Sequence, residues 1–150
     1  MSHINYAFEQ ADNSFPHDKM KLRNVASTRY SGDWLSIPHS HSYAELFYIV
    51  GGEGQFQIND KLFPVHQHQL VIVNANVIHT EVSLESHPLE YIVVGIEGLE
   101  FTASEIAEGS YCVYTFRENN EVLSCMQKIL AEMQNRESKF QILCQAYMDI

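Results

Sequence analysis

The chain has 150 residues, enough for one domain with a buried core, and its 45% hydrophobic and 19% charged content is that of a globular protein rather than a disordered one. Nine basic against 19 acidic residues give a formal net charge of −10, and the basic residues are scattered, which excludes the phosphate-neutralising surface that DNA requires. No run approaches the roughly 18 apolar residues that span a bilayer, and Met1-Ser2-His3-Ile4-Asn5 has neither a basic nor an apolar leader region, so a cytoplasmic protein with no membrane partner is expected.

Residues 1–20 are polar and irregular, broken by Asp12-Asn13-Ser14 and Pro16, and read as an N-terminal arm with a short strand around Ile4–Phe8. Short strands separated by turn signals follow: Leu22–Tyr30, Trp34–Ile37, Tyr43–Val50, Gly54–Ile58, Lys61–Val65, Leu70–Val73, His79–Val82, Glu90–Ile96 and Tyr111–Phe116. Gly51-Gly52-Glu53-Gly54 and Asn59-Asp60 fall between alternating segments, as hairpin turns do. So many short strands predict a sandwich or barrel. Within Tyr43–Val50, alternation puts Phe47 and Ile49 on the side of Glu45, and Leu46, Tyr48 and Val50 on the other. Both sides are apolar, so both need a cover: the barrel interior on one, helices or a second subunit on the other.

The period changes at about Asn119. Val122, Leu123, Met126, Ile129, Leu130 and Met133 form a helical stripe, with Asn119 or Asn120 as cap and Glu118 and Glu121 near the positive end of the helix. A second helix starts at Ser138, with Gln141 completing a capping box and Phe140, Leu143, Tyr147 and Ile150 on one face. No cap signal follows Ile150, which predicts a chain cut before its natural end. Cys112, Cys125 and Cys144 lack CxxC spacing and read as reduced thiols.

The chemistry concentrates in His39-Ser40-His41-Ser42-Tyr43-Ala44-Glu45, answered by His79. His39, His41 and Glu45 are separated by even numbers, so one strand would present all three to one face, with Tyr43 and Phe47 beside them. Ionisable groups aimed at an interior are costly unless they bind something or one another. Three imidazoles and a carboxylate suit a divalent first-row ion such as Zn, Ni, Mn or Fe. The same groups can equally line a pocket for a polar organic ligand, and the spacing leaves both readings open. A second His-x-His, His66 and His68, is flanked by glutamines in a turn and reads as a solvated loop. His3, His17 and His87 read as surface residues, Tyr91-Ile92-Val93-Val94 as core, and Trp34 as packing at the barrel mouth. No Ser/His/Asp or Cys/His nucleophile pattern and no Gly-rich phosphate loop is present.

The segment Pro38–Gly54 resembles the first cupin motif, in the form found in N-terminal domains of AraC-type bacterial transcription regulators. Leu70–His79, with Asn74-Ala75-Asn76 ahead of the histidine, resembles the second, and Asn120–Met133 with Ser138–Ile150 resembles the helix pair that follows the barrel. The resemblance spans roughly residues 20–150. It implies a mostly β fold, a cupin-type double-stranded jelly-roll barrel followed by two C-terminal α-helices. The division would be an arm at 1–20, an effector-binding barrel at 21–118 and a helical dimerisation segment at 119–150.

What the family implies is a non-enzymatic sensor. A small-molecule effector, a sugar or another metabolite, would be enclosed by arm and barrel at His39, His41, Tyr43, Glu45, Phe47 and His79. A homodimer would form through Val122, Met126, Ile129, Leu130 and Met133, with DNA bound only by a helix-turn-helix domain outside this chain. No cofactor is expected, because such regulators often carry these histidines without using a metal. A divalent transition metal on His39, His41, Glu45 and His79 belongs to the alternative, a free-standing metal-dependent cupin enzyme such as a dioxygenase or isomerase. A metal-free sugar- or anion-binding module is a third reading. Two departures bear on the second motif: His68-Gln69 stand where glycine and an acidic residue are common, and Ala75 stands where proline is usual, which puts the aim of His79 in question.

Overall fold

The computed structural model describes residues 2–7, 20–30, 37–99, 111–135 and 146–150. The strands are β1 (Ser2–Ala7), β2 (Lys21–Arg29), β3 (Ala44–Gly51), β4 (Glu53–Ile58), β5 (Lys61–His66), β6 (Gln69–Val73), β7 (His79–Ser83), β8 (Glu90–Glu97) and β9 (Tyr111–Thr115), followed by helix α1 (Glu121–Asn135). They pair antiparallel in a six-stranded sheet of order β1-β2-β8-β3-β6-β9 and a three-stranded sheet of order β5-β4-β7. Residues 2–7 of the expected arm are thus an edge strand on β2. The expected strand at Trp34–Ile37 lies outside the described residues except for Ile37, which is exposed and not in a strand. Of the second helix, 146–149 is helical, and Ser138, Phe140, Leu143 and Cys144 lie outside the described residues.

The turns follow from residue chemistry. Asn59 takes a left-handed φ of 53° between β4 and β5, as the Asn-Asp pair predicts. Gly52 has φ 74°, and a Cβ there would lie 1.9 Å from the Pro88 carbonyl oxygen, so no other residue fits between β3 and β4.

The larger sheet buries both of its faces. Phe47, Ile49, Val71, Val73, Tyr91 and Val93 face the smaller sheet and meet Phe56, Ile58 and Val65. On its outer face Tyr48, Leu70, Ile72, Ile92, Val94 and Ile96 pack against Met126, Ile129 and Met133 of α1. The two-sided strand β3 therefore has its covers: the second sheet inside and the helix outside. Burial of those three α1 side chains, which are 2–4% exposed, contributes about 2 kcal/mol each, enough to dock the helix. Met126, Ile129 and Met133 hold α1 on its own sheet, whereas Val122 and Leu130 are only partly buried.

Asn120 caps α1: its Oδ1 accepts the Leu123 amide at 2.9 Å, and its Nδ2 donates to the Arg117 carbonyl at 2.8 Å and to the Tyr48 hydroxyl at 2.6 Å. The Tyr48 hydroxyl in turn bonds His68 Nδ1 at 3.1 Å. His68 is therefore not the solvated loop residue its flanking glutamines suggest. It takes the left-handed turn position (φ 68°) that glycine usually fills, and its ring docks on a buried tyrosine, while His66 is exposed as expected. Asn120→Ala is expected to cost about 1–2 kcal/mol in urea denaturation, with Asn120→Ser recovering the cap but not the bond to Tyr48. Among the described residues no helix is long and apolar enough to cross a membrane.

Candidate functional site

Glu45 reaches the barrel interior from β3, with Phe47 two residues on. His79 opens β7 and points to the same interior, its neighbour across the sheet being Ile58. The two histidines before β3 arrive differently from the expected single strand. His39 lies outside β3 and forms a two-bond bridge with His79, His39 N to His79 O at 3.0 Å and His79 N to His39 O at 2.9 Å. His41 sits at the approach to β3, and its carbonyl accepts the amide of Asn76 at 2.7 Å. The Asn74–Asn76 turn thus ties the second motif to the first, with Asn76 at φ 65° and Ala75 in place of proline. His79 is aimed into the barrel despite the departures in its motif.

The six sequence candidates come together. His79 Nε2 lies 2.9 Å and His41 Nε2 3.5 Å from Glu45 Oε1. The His39 ring centroid is 4.5 Å from that of His79 and 5.1 Å from that of His41. Tyr43 stacks on His41 at 5.0 Å, and Phe47 meets the His79 ring edge-on at 5.7 Å.

The backbone sets the tautomers of two imidazoles. Nδ1 of His39 is 3.0 Å from the Ile37 carbonyl and Nδ1 of His79 is 2.9 Å from the Val77 carbonyl. A carbonyl only accepts, so both Nδ1 atoms carry hydrogen, and in the neutral ring Nε2 keeps a lone pair. In His79 that lone pair faces a carboxylate. The two atoms are buried 2.9 Å apart, an ion pair once His79 carries a proton on Nε2.

The two imidazoles beside Glu45 are pushed in opposite directions. Burial pushes His79 down, but Glu45, the Val77 carbonyl and Glu81 outweigh it and hold His79 above the usual histidine range. His41 is held below that range, first by burial and then by His39 and His79, against the pull of Glu45.

The donor set fits a divalent ion. One ligand atom each from His39, His41 and Glu45 lie within 4.8 Å of one another, and His79 joins through Glu45. Neighbouring ligands on an ion with bonds of about 2.1 Å stand roughly 3–3.5 Å apart, which is the range spanned by the two Glu45 contacts.

A deeper polar group escaped the sequence reading. Glu81, two residues beyond His79 on the same face of β7, accepts the hydroxyls of Tyr30 and Tyr91, the latter at 2.8 Å. Burial, then the charge of Glu81, raises both tyrosines well above their ordinary value, so they remain donors. Parity with His79 was the signal that could have found it.

Two facing antiparallel sheets, one of six strands and one of three, enclose the set of His39, His41, Glu45 and His79. The family model of the AraC-like ligand binding domain matches residues 24–149, and the chain belongs to that family. The solved structure of the protein YhaK from Escherichia coli is similar at 11% identity and TM-score 0.58, over 77% of this chain and 52% of that one, so the chain spans about half the length of YhaK. A cupin protein from Bacteroides fragilis is 12% identical over 71% of this chain and 88% of its own, with TM-score 0.49. An oxalate decarboxylase from Bacillus subtilis, described with Mn(II) centres, is 18% identical over 73% of this chain and 28% of its own, with TM-score 0.46. No curated protein matches the chain in sequence.

Proposed function

We propose that this chain is the effector-sensing and homodimerising domain of an AraC-type transcription regulator. The observation that carries this reading is the buried His79–Glu45 pair, ringed by His39, His41, Tyr43 and Phe47 inside a barrel of the AraC-like ligand binding family. A small molecule with polar groups, a sugar or another metabolite, would bond to this polar cluster, with His39, His41 and Tyr43 around it and Phe47 as an apolar wall. Binding would shift the populations of the N-terminal arm or the helical segment and so the presentation of two DNA-binding domains. DNA contact belongs to a helix-turn-helix domain and not to these residues, whose net charge is −10. Pairing of two copies would run through the helical segment and its stripe of Val122, Met126, Ile129, Leu130 and Met133, of which Val122 and Leu130 are only partly buried. A cytoplasmic location goes with this role.

The fit of His39, His41 and Glu45 to a divalent ion, with His79 against Glu45, supports a second reading, a metal-dependent cupin enzyme. If an ion is held there, it supplies Lewis acidity to an oxygen-bearing ligand. The chain's own part would be to fix imidazole tautomers through the Ile37 and Val77 carbonyls and to wall off water with Phe47.

A thermal-shift screen of the purified protein against metabolites and divalent ions separates the two. A metal-free effector at about 100 times its Kd should stabilise the fold by about 2.7 kcal/mol. Stoichiometric Fe, Mn or Ni in the protein as purified, lost in His41→Ala and accompanied by turnover, would replace the sensor reading with the enzyme.

A further inference from the structure

We propose that Tyr43 is the positioning residue of His41, and that Gly95 and a bulge at Arg23 serve to seat its ring. The inference rests on the inner histidine set being the binding site. His39 and His79 are each oriented by a carbonyl at Nδ1, but among the described residues no hydrogen bond fixes the His41 ring. Beside its 3.5 Å contact with Glu45 and its edge-on contact with His39, His41 has a parallel stack. The Tyr43 ring lies 5.0 Å from it with an interplanar angle of 12°.

The surrounding strands make room for that ring at some cost. Gly95 pairs with Glu45 on β3, and a Cβ on Gly95 would lie 2.6 Å from Tyr43 Cε2 and 2.1 Å from Asn24 Oδ1. Tyr43 and Asn24 therefore occupy the volume that any larger residue would fill. Between Leu22↔Ile96 and Asn24↔Gly95, β2 advances two residues against one on β8, so Arg23 is the extra residue of a bulge. The bulge leaves Leu22 and Val25, three residues apart, both in the outer core, and turns Asn24 toward Gly95. It also sets the Arg23 guanidinium over the Tyr43 ring, 6.0 Å from the centroid, with Nη1 3.2 Å from Glu97 Oε2. Bulges beside sites commonly re-aim a side chain in this way, and a cation over a ring face holds it. The ring, not the hydroxyl, does the orienting, so the conservative variant should keep it.

Imidazole NMR of the metal-free protein reads the stack directly, with His41 signals assigned by their loss in His41→Gln. The ring-current upfield shift of His41 should persist in Tyr43→Phe and disappear in Tyr43→Leu and Gly95→Ala. Co2+ titration followed by its visible spectrum reads the consequence. Affinity should be unchanged in Tyr43→Phe and fall roughly 10- to 100-fold in Tyr43→Leu, the range for groups that orient a metal-binding histidine. Unmoved His41 signals in Tyr43→Leu, or Co2+ affinity equal to the wild type in that variant, would overturn the proposal. A wild-type protein that takes up no Co2+ would overturn the divalent-ion reading of the site, while the imidazole shifts would still decide the role of Tyr43.

Discussion

Ile129→Glu should detach helix α1 from the barrel and lower stability by about 4 kcal/mol, or on the order of 10 °C in melting temperature. Ile129 is 2% exposed and packs with Met126 and Met133 on the outer face of the larger sheet. A carboxylate there has no cation to pair with in that apolar cluster, and undocking the helix would uncover Tyr48, Ile72 and Val94. Thermal denaturation and binding of an apolar fluorophore would record the loss. The control is Ala131→Glu on the exposed side of the same helix, which should change stability by less than about 0.5 kcal/mol. An Ile129→Glu protein that melts like the wild type but sediments as half its mass would mean that the stripe faces a partner after all.

That contrast shows where sequence reading stops. The helical period of Val122 to Met133 reveals that an apolar face exists, and it says nothing about whether the cover is the chain's own sheet or another copy. Strand parity is more informative, because alternate residues on β3 must face opposite ways. Phe47 and Ile49 went inward and Leu46, Tyr48 and Val50 outward as the alternation required. The two segments that resemble cupin motifs also come together, with His39, His41, Glu45 and His79 in mutual contact. The route by which His39 and His41 reach the site was not visible, because His39 is placed by bridging to His79, forty residues away in sequence. The bulge at Arg23 exists only in its pairing with β8. The glutamines beside His68 pointed to solvent, but a left-handed turn and the Tyr48 hydroxyl turned its ring inward. Each miss is a long-range pairing overriding a local signal.

The second large effect concerns the buried pair itself. His79→Ala should destabilise the fold by about 3 kcal/mol near pH 6, because it strands the Glu45 carboxylate in an interior where the pair had been close and shielded. The sign of the pH dependence follows from His79. Its folded-state value is raised above the ordinary range, so its contribution is fully present below about pH 6.5 and is lost as pH rises through the raised value. The gap between wild type and His79→Ala should therefore narrow from acidic toward alkaline pH. His41 shifts the opposite way, since burial holds it below its ordinary range. The double variant Glu45→Gln/His79→Ala should recover part of the loss by removing the stranded charge, and denaturant melts of the four proteins form the cycle that measures it. Full additivity in that cycle would mean that Glu45 and His79 do not interact across their 2.9 Å contact, and the binding role assigned to their facing atoms would fall with it.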